Sequence, residues 1–317
     1  MSRGKVEKSA AASYTITEAM QPGKVCFFES GRAAGKFNWI FWLTGKFFIM
    51  LQQQQLPDSS DSRKDQTAII LSAAGESHKG LARRKNEDNF CVAYSKDRKC
   101  LLAVVADGIG GHSRGEVASY ICCRELVNSF LKNAGELADV KKAQKFLSDE
   151  LEKINASVYQ RNLANRGLKR PMGTTVNCVL FLPDFLVMGN AGDSRLYQLT
   201  SGDELKQLST DHSFKAVVAS QEQKTKLGGM DNVIYRAVGL HRNFELELKT
   251  FPLIGGTKYF ICTDGMYRSL THFMIEEGLR GAKLPKSALD IFMRSALVGG
   301  GKDNITGIVV FAGEYRK

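Results

Sequence analysis

Five short segments of the sequence place an aspartate at one end of an apolar, strand-like run. They are NEDN with Asp88, AVVADGIGG with Asp107, NAGDSR with Asp193, FICTDGMYR with Asp264 and GGGKDNITG with Asp303. One Asp-Gly or Asp-Asn pair is typical of a tight turn, but five such segments with glycine neighbours favour a shared site. Carboxylates that gather from several strand ends repel one another unless a cation lies between them. Oxygen ligands without histidine or cysteine partners suit Mg²⁺ or Mn²⁺ and not zinc, so the pattern predicts a site for hard divalent ions.

The stretch GLARRKNEDN, Gly80 to Asn89, places a basic cluster directly before an acidic pair. An arginine beside metal-holding aspartates can grip a phosphate through its planar fork, which lysine does less well. Two hard ions about 3.5–4 Å apart can activate water at neutral pH and hold a phosphoryl oxygen for in-line attack. The adjoining anion and cation sites therefore predict hydrolysis of a phosphate ester.

The elements that must position these residues begin with a series of short strands. Runs rich in Val, Ile, Phe, Tyr and Thr, bounded by Gly, Pro, Asn or Asp, indicate β-strands. The predicted strands are TAIILSAAG, NFCVAYS, CLLAVVAD, TTVNCVLFL, FLVMGNAG, SRLYQLT, VIYRAVG, FELELKTF, KYFICTD and NITGIVVF. Pro183-Asp184 and Ser201-Gly202-Asp203 are typical of hairpin turns, so neighbouring strands should be antiparallel.

Helices are predicted in two places between the strands. One begins after Ser113 and runs to about Lys132, and a second begins near Asp139 and carries apolar residues from Phe146 to Val158 on one face. A further pair is expected between His272 and Leu297. The predicted fold class is therefore α+β: a four-layer sandwich in which two antiparallel β-sheets are flanked by pairs of α-helices.

The sequence divides into an N-terminal extension with a polar linker, residues 1–66, and a compact domain, residues 67–317. The linker is predicted from the polar stretch QQQQLPDSSDSRKD, which has little to bury. Phe37–Leu51 is apolar and aromatic but short for a membrane span and interrupted by Lys46, so contact with a membrane surface stays open for this segment. Met50 could be the true first residue.

Charge and cysteine usage limit the partners and the compartment. The net charge of +11 is spread along the chain and no base-reading motif is present, so we expect acidic or phosphorylated partners and no nucleic acid. The seven cysteines form no C-x-x-C pair and lie mostly among apolar residues, which is typical of free thiols. A reducing, cytoplasmic location is therefore predicted.

Taken in order, these motifs resemble those of a known enzyme family. GLARRKNEDN, VVADGIGGHSRGEVAS, MGTTVNCVLF, GNAGDSRLYQL, YRAVG, FICTDGMY and GGGKDNITGIVV are similar to the motifs of the metal-dependent serine/threonine phosphatases of type 2C, especially the bacterial branch. The resemblance covers about Ala73 to Phe311. It implies a β-sandwich flanked by helices, bound Mn²⁺ or Mg²⁺ in two or three sites, phosphorylated protein substrates that a serine/threonine kinase supplies, and a monomer.

The resemblance also implies a role for each site residue. Asp107 would bridge two metals and the Gly108 carbonyl would ligate one of them, while Asp264 and Asp303 would complete the other shell. Glu87 and Asp88 would act at or just behind the waters on the metals. Asp193 would help to hold a third, weaker ion. Arg83 would bind the phosphoryl group, with Arg84 a solvated neighbour.

The sequence departs from the eukaryotic pattern at one position. Ile109 stands where the eukaryotic relatives have histidine in D-G-H-G-G, a candidate general acid, so the proton donor is unassigned. His112 is a candidate replacement, or a residue that caps structure. The polar segment between Ser209 and Asp231, with Gln221–Lys226, matches by position the family's variable flap, which influences substrate choice.

Three alternatives remain open from the sequence alone. CTDGMYRS, Cys262 to Ser269, fits the C-x5-R-S pattern of cysteine phosphatases, and CFFESGR, Cys26 to Arg32, fits C-x5-R. A catalytically weak phosphopeptide-binding module of the same fold would keep the site without turnover. A two-metal nuclease would also use clustered carboxylates, although no basic stripe with stacking aromatics lies near the motifs.

Overall fold

The structure is a computed structural model that describes residues 68–109, 114–137, 139–165, 171–213 and 233–315. The predicted extension 1–66, with Phe37–Leu51 and Met50, lies outside these ranges, as do His112 and Gln221–Lys226. The predictions for those residues, and the division at 66 and 67, stay predictions. Among the helices of the described ranges, none is both long and apolar enough to cross a membrane.

Strands and helices follow one another along the chain much as predicted. The strands are β1 (Ala68–His78), β2 (Asp88–Tyr94), β3 (Leu101–Ile109), β4 (Gly173–Thr174), β5 (Val176–Phe181), β6 (Phe185–Ala191), β7 (Arg195–Leu199), β8 (Lys206–Gln207), β9 (Glu247–Pro252), β10 (Lys258–Cys262) and β11 (Ile305–Tyr315). The helices within the described ranges are α1 (Gly115–Asn133), α2 (Val140–Ala164), the short α3 (Asp264–Tyr267), α4 (His272–Gly281) and α5 (Pro285–Val298).

The strands form two antiparallel sheets. One has the order β1-β11-β10-β7-β8 and the other the order β2-β3-β5-β6-β9, with β4 paired beside β3. The predicted turn at Pro183-Asp184 joins β5 to β6, and the Leu182 amide donates a hydrogen bond to the Phe185 carbonyl over 2.8 Å. The Asp203 amide likewise donates to Thr200 O over 3.1 Å in the turn between β7 and β8.

Alternation along the strands builds the layers, because successive side chains of a strand point to opposite faces. In β3, Leu101, Ala103 and Val105 face the core between the two sheets, whereas the residues between them pack against α1 and α2. Phe181 and Tyr259 meet edge to face across the sheets, with ring centroids 5.2 Å apart. Helices α4 and α5 cover the outer face of the other sheet. The predicted α+β sandwich is confirmed, with layers in the order helix, sheet, sheet, helix.

Local chemistry explains where the helices begin. The Asp139 side chain accepts a hydrogen bond from the Lys142 amide over 2.9 Å and so caps α2 at the predicted position. The predicted apolar face of this helix, from Phe146 to Val158, is buried. Helix α1 begins at Gly115, one residue after the predicted start.

The prediction of a strand at VIYRAVG, residues 233–239, is wrong. This segment makes only isolated bridges, Ile234 with Ser213 and Val238 with Thr174. The apolar character of the segment comes from Ala237 and Val238, which are buried beside β4. Among the described residues, no strand pairs with the segment along its full length.

Candidate active site

Asp88 and Asp107 lie directly opposite each other on the paired strands β2 and β3. Burial raises the pKa of the Asp88 carboxyl to about 7, although the Thr263 hydroxyl donates a 2.8 Å hydrogen bond to its Oδ2 atom. Burial also raises the pKa of Asp107 well above its usual range, and the carboxylates of Asp88 and Asp264 add to this shift. A cation placed among these groups would relieve the repulsion that both shifts express.

Among the described residues, two buried oxygen atoms at this point have no hydrogen-bond partner. They are Asp88 Oδ1 and Glu87 Oε1. Burial raises the pKa of Glu87 as well, with a further contribution from Glu116. A buried carboxylate oxygen without a partner is costly, so these atoms fit a site that takes a hard cation or its waters.

The carboxylates converge without forming a closed cage. Within the described ranges, no set of three or more acidic, histidine or cysteine side chains already has the arrangement of a complete metal site. Mg²⁺ commonly keeps several waters and takes only one or two carboxylates from the protein.

The backbone of Asp107 is fixed from the neighbouring strand. Its carbonyl accepts hydrogen bonds from the Thr175 amide over 2.8 Å and from the Thr174 hydroxyl over 3.0 Å. Its own amide donates to Thr175 Oγ1 over 3.0 Å, and this hydroxyl also contacts Ser194 Oγ at 2.9 Å. The end of β3 is thereby tied to the loop that follows Asp193.

Gly108 lies where three backbone segments meet. Its amide donates to the Glu87 carbonyl over 3.1 Å, and the Ser119 hydroxyl of α1 donates to that same carbonyl over 2.6 Å. A Cβ atom at Gly108 would lie 2.6 Å from the Glu87 carbonyl oxygen and would also clash with the Gly115 backbone. Only glycine allows this approach, which keeps the Gly108 carbonyl close to the carboxylates.

The other sheet contributes Asp264 and Asp303 at the same edge. Asp264 begins α3 directly after β10, and Asp303 precedes β11, the strand paired with β10. Burial raises the pKa of Asp264, whereas Arg268 opposes this shift. The Asp303 carboxylate adds to the shift and the neighbouring Asp107 carboxyl opposes it. The sequence-predicted aspartates of both sheets are thus brought together.

Arg83 contacts this group of carboxylates from the solvent side. Its Nη2 atom lies 2.8 Å from Asp303 Oδ2, with the Arg83 side chain 47% exposed. Arg84 is exposed, and Lys85 pairs with Glu116 over 2.9 Å. Arg83 is therefore the arginine of this cluster that lies next to a predicted metal ligand.

Asn304 holds the segment that carries Arg83, a role that the sequence did not indicate. Its Nδ2 atom donates to the carbonyls of Lys79 and Lys85, each over 2.8 Å, and its Oδ1 accepts from the Glu87 amide over 2.8 Å. The sequence feature that could have indicated this role is the position of the asparagine directly after Asp303, but an asparagine there is equally typical of a turn.

Arg268 is a second residue that the sequence analysis missed. Its guanidinium lies 3.0 Å from Asp264 Oδ2 and 3.4 Å from Asp193 Oδ2. Burial raises the pKa of Asp193 to about 6, Asp264 adds to this shift and Arg268 opposes it. The available signal was its position four residues after Asp264, the spacing at which side chains meet along a helical turn.

The cysteine-phosphatase alternative does not fit the structure. The Cys262 thiol is fully buried, and burial raises its pKa well above the usual range, the opposite of an activated nucleophile. Arg268, the arginine of the C-x5-R-S pattern, pairs with two carboxylates. The second pattern, Cys26 to Arg32, lies outside the described residues.

An open cleft of about 790 Å³ is lined by residues between Tyr235 and Glu245. The Val238 amide donates to the Thr174 carbonyl over 2.9 Å, and the Thr174 hydroxyl donates to the carbonyl of Asp107. The segment that lines the cleft is therefore tied through β4 to the backbone of Asp107. The walls of the cleft include Arg236 and Arg242.

Comparisons with known proteins agree with this arrangement. The sequence profile of the protein phosphatase 2C family matches residues 74–283. The serine/threonine phosphatase Stp of Listeria innocua is 29% identical over 236 residues, which cover 73% of this chain and 92% of that protein. The serine/threonine protein phosphatase PstP of Mycobacterium tuberculosis is 31% identical over 257 residues, which cover 78% of this chain and 46% of that protein.

Comparison of the fold with solved structures leads to the same family. The crystal structure of the serine/threonine phosphatase Stp1 from Staphylococcus aureus superposes with a TM-score of 0.69 at 27% identity, covering 79% of this chain and 98% of that one. The family match spans the segments that carry Asp88, Asp107, Asp193 and Asp264, the same residues that the fold gathers at one edge of the sandwich. Sequence, fold and site agree, and the chain belongs to the protein phosphatase 2C family.

Proposed function

We propose that this protein phosphatase hydrolyses phosphoserine and phosphothreonine in proteins with the help of bound Mn²⁺ or Mg²⁺. The observation that carries the proposal is the convergence of Asp88, Asp107, Asp264 and Asp303 beside Arg83. Relatives named serine/threonine phosphatases support the substrate class. A serine/threonine kinase would supply such substrates. We expect the chain to act as a monomer, and the six cysteines of the described ranges, all free and buried, support a cytoplasmic setting.

The carboxylates would divide between two ions. Asp107, the Gly108 carbonyl, Asp264 and Asp303 would hold the ions, and Asp88 would bind the waters around them. When bound, the ions supply positive charge that offsets the carboxylates, lowers the pKa of water and polarises a phosphoryl oxygen. The unpartnered Asp88 Oδ1 and the raised pKa values support this assignment.

Arg83 would bind the phosphoryl group. A guanidinium has five N–H donors, so Arg83 can keep its contact with Asp303 and still donate to two phosphoryl oxygens. Its half-exposed side chain faces solvent, from which the substrate arrives. The phosphoryl group would then lie between this arginine and the carboxylates.

Glu87 would orient the attacking water. Its Oε1 atom is buried without a partner and can accept a hydrogen bond from water, while its backbone is held by Asn304 and Gly108. The water oxygen bonds to phosphorus as the ester P–O bond breaks, and the serine or threonine leaves as an alcohol. The half-buried Ile109 has no proton to give, so the proton of the leaving alcohol would come from water or from His112.

The proposal is tested by phosphate release from three peptides of identical flanking sequence that carry phosphothreonine, phosphoserine or phosphotyrosine. We expect release from the first two with Mn²⁺ or Mg²⁺, loss with EDTA, and recovery when Mn²⁺ is added back. Asp107→Asn and Asp264→Asn should abolish turnover while the circular dichroism spectrum stays unchanged.

Three results would oppose the proposal. Activity that survives EDTA, or near-normal activity of Asp107→Asn with Mn²⁺, would reject the role of the metal. Binding of a phosphopeptide without turnover would favour the phosphopeptide-binding module. Hydrolysis of DNA without release from any phosphopeptide would favour the nuclease.

A further inference from the structure

Arg268 places a permanent positive charge between two carboxylates of the site. One nitrogen of its guanidinium is 3.0 Å from Asp264 and another is 3.4 Å from Asp193. We propose that Arg268 takes the place of a third divalent ion between Asp193 and Asp264, so that this phosphatase binds two ions and not three. The inference rests on the proposed metal-dependent function and concerns the number of ions at the site.

A cation is needed at this position because both carboxylates are removed from water. The Asp193 side chain is only 4% exposed and that of Asp264 only 15% exposed. Two buried carboxylates in one site repel each other unless a positive charge lies between them. Arginine remains protonated at any ordinary pH, so Arg268 provides this charge whether or not metal is available.

The backbone explains why Arg268 reaches both partners. The Arg268 amide donates to the Asp264 carbonyl over 2.9 Å, which continues the turn of α3 and brings the Arg268 side chain back over Asp264. Arg195 on β7 pairs with Cys262 on β10 in an antiparallel register. Asp193 lies two residues before Arg195 and Asp264 lies two residues after Cys262, so this register brings the two aspartates close together. The planar fork of arginine can then contact two carboxylates at once.

A neighbouring contact holds the same turn in place. The Arg195 guanidinium lies 3.7 Å from the ring centroid of Tyr267, the residue before Arg268. Arg195 is itself fixed by Asp211, with Nη2 to Oδ2 at 2.7 Å and Nε to Oδ1 at 3.0 Å. Arg268 therefore extends from a braced turn, and its pairing with Asp193 and Asp264 follows from that position.

Arg268 has a positioning role in this arrangement. A guanidinium brings no water to the substrate, so Arg268 acts by holding Asp264 for its metal and by neutralising Asp193. It follows that Asp193 should contribute nothing to metal binding while Arg268 is present. Removing the guanidinium should open the position to a divalent ion.

The test counts Mn²⁺ ions by isothermal titration calorimetry on metal-free protein. Wild type and Asp193→Asn should each bind two ions. Arg268→Gln should bind a third, weaker ion, and Arg268→Gln/Asp193→Asn should again bind two. Arg268→Lys is the matched control, because it keeps the positive charge and should also bind two.

The outcomes separate this inference from the proposed function. Three ions in wild type that fall to two in Asp193→Asn would overturn the inference alone, as would a count of two in Arg268→Gln. Binding of no ion by wild type would overturn the proposed function and this inference with it. If Arg268→Gln fails to fold, the comparison of wild type with Asp193→Asn still decides between two ions and three.

Discussion

Asn304 accepts a hydrogen bond from the amide of Glu87, with Oδ1 and N 2.8 Å apart. The same side chain donates to the carbonyls of Lys79 and Lys85. One residue, next in sequence to Asp303, therefore fixes both ends of the segment that carries Arg83. The distance between Arg83 and the carboxylates depends on this side chain.

Asn304→Ala should lower kcat/KM by roughly 10- to 100-fold, because small displacements of positioned groups are costly to catalysis. The variant should also lose stability, since each buried polar group left without a partner costs about 1–3 kcal/mol. Kinetics on a phosphothreonine peptide with saturating Mn²⁺ and the melting temperature measure the two effects. The control is Asn133→Ala at the end of α1, which removes a hydrogen bond to Ser129 far from the site and should leave kcat/KM unchanged. A loss of stability with full activity in Asn304→Ala would show that Asn304 supports only the fold.

Arg83 and Arg84 provide a matched pair of substitutions. Arg83→Ala should raise KM and lower kcat/KM by roughly 10- to 100-fold, because a hydrogen bond to a charged group contributes about 1.5–3 kcal/mol. Arg84→Ala removes the same charge from an exposed position and should change kcat/KM by less than about twofold. Steady-state kinetics on one phosphopeptide measure both. Equal effects of the two substitutions would mean that general attraction, and not a specific contact of Arg83, binds the phosphate.

Asp88→Asn should have opposite effects on metal-free stability and on activity. Asp88 is buried with Oδ1 unpartnered, and asparagine removes its charge while an amide oxygen can still accept from Thr263. In EDTA we expect the variant to unfold at a temperature roughly 2–10 °C higher, because about 1–3 kcal/mol of unfavourable burial is removed. Mn²⁺ should stabilise it less than wild type, and turnover should fall. Thermal unfolding with EDTA and with Mn²⁺ measures the stability of the metal-free variant and its stabilisation by the metal. A melting temperature in EDTA below that of wild type would contradict the view that the buried Asp88 charge destabilises the metal-free protein.

The acidic side of the site could be predicted because turn chemistry and strand composition are local. Asp107 and Asp264 each follow an apolar run; Asp107 lies near the end of β3 and Asp264 follows β10, so both lie where a strand ends. The cap at Asp139 and the turn at Pro183-Asp184 are local in the same sense. Each of these predictions could be made without knowing which strands pair.

The remaining features depend on contacts between distant parts of the chain. Arg268 reaches Asp193 only because β7 lies beside β10, a pairing that composition does not specify. Asn304 reaches Lys79 across 225 positions of sequence. The segment 233–239 has the composition of a strand and forms none, because within the part of the chain that the structure describes it pairs only at two isolated bridges. Long-range pairing, and not local preference, decided each case.

Lys258 on β10 gives a test of the fold that should leave catalysis intact. Its ammonium donates to carbonyl oxygens at the end of α4, those of Leu279 over 2.7 Å, Ala282 over 2.8 Å and Arg280 over 3.3 Å. The last carbonyls of a helix have no partner within it, so this lysine joins the outer helix to its sheet. Burial lowers the Lys258 pKa, and Arg280 adds to this shift.

Lys258→Met keeps the aliphatic stem but leaves these carbonyls without their donor. We expect a loss of about 1.5–3 kcal/mol, equivalent to a melting temperature lower by roughly 4–10 °C, with kcat/KM unchanged below the transition. Lys206→Met is the control, because Lys206 is exposed on β8 and should shift the melting temperature by less than about 2 °C. Thermal unfolding followed by circular dichroism measures both variants in saturating Mn²⁺. Equal shifts in the two would show that the ammonium contributes nothing specific at α4, and a fall in kcat/KM for Lys258→Met would show that this helix supports the site as well as the sheet.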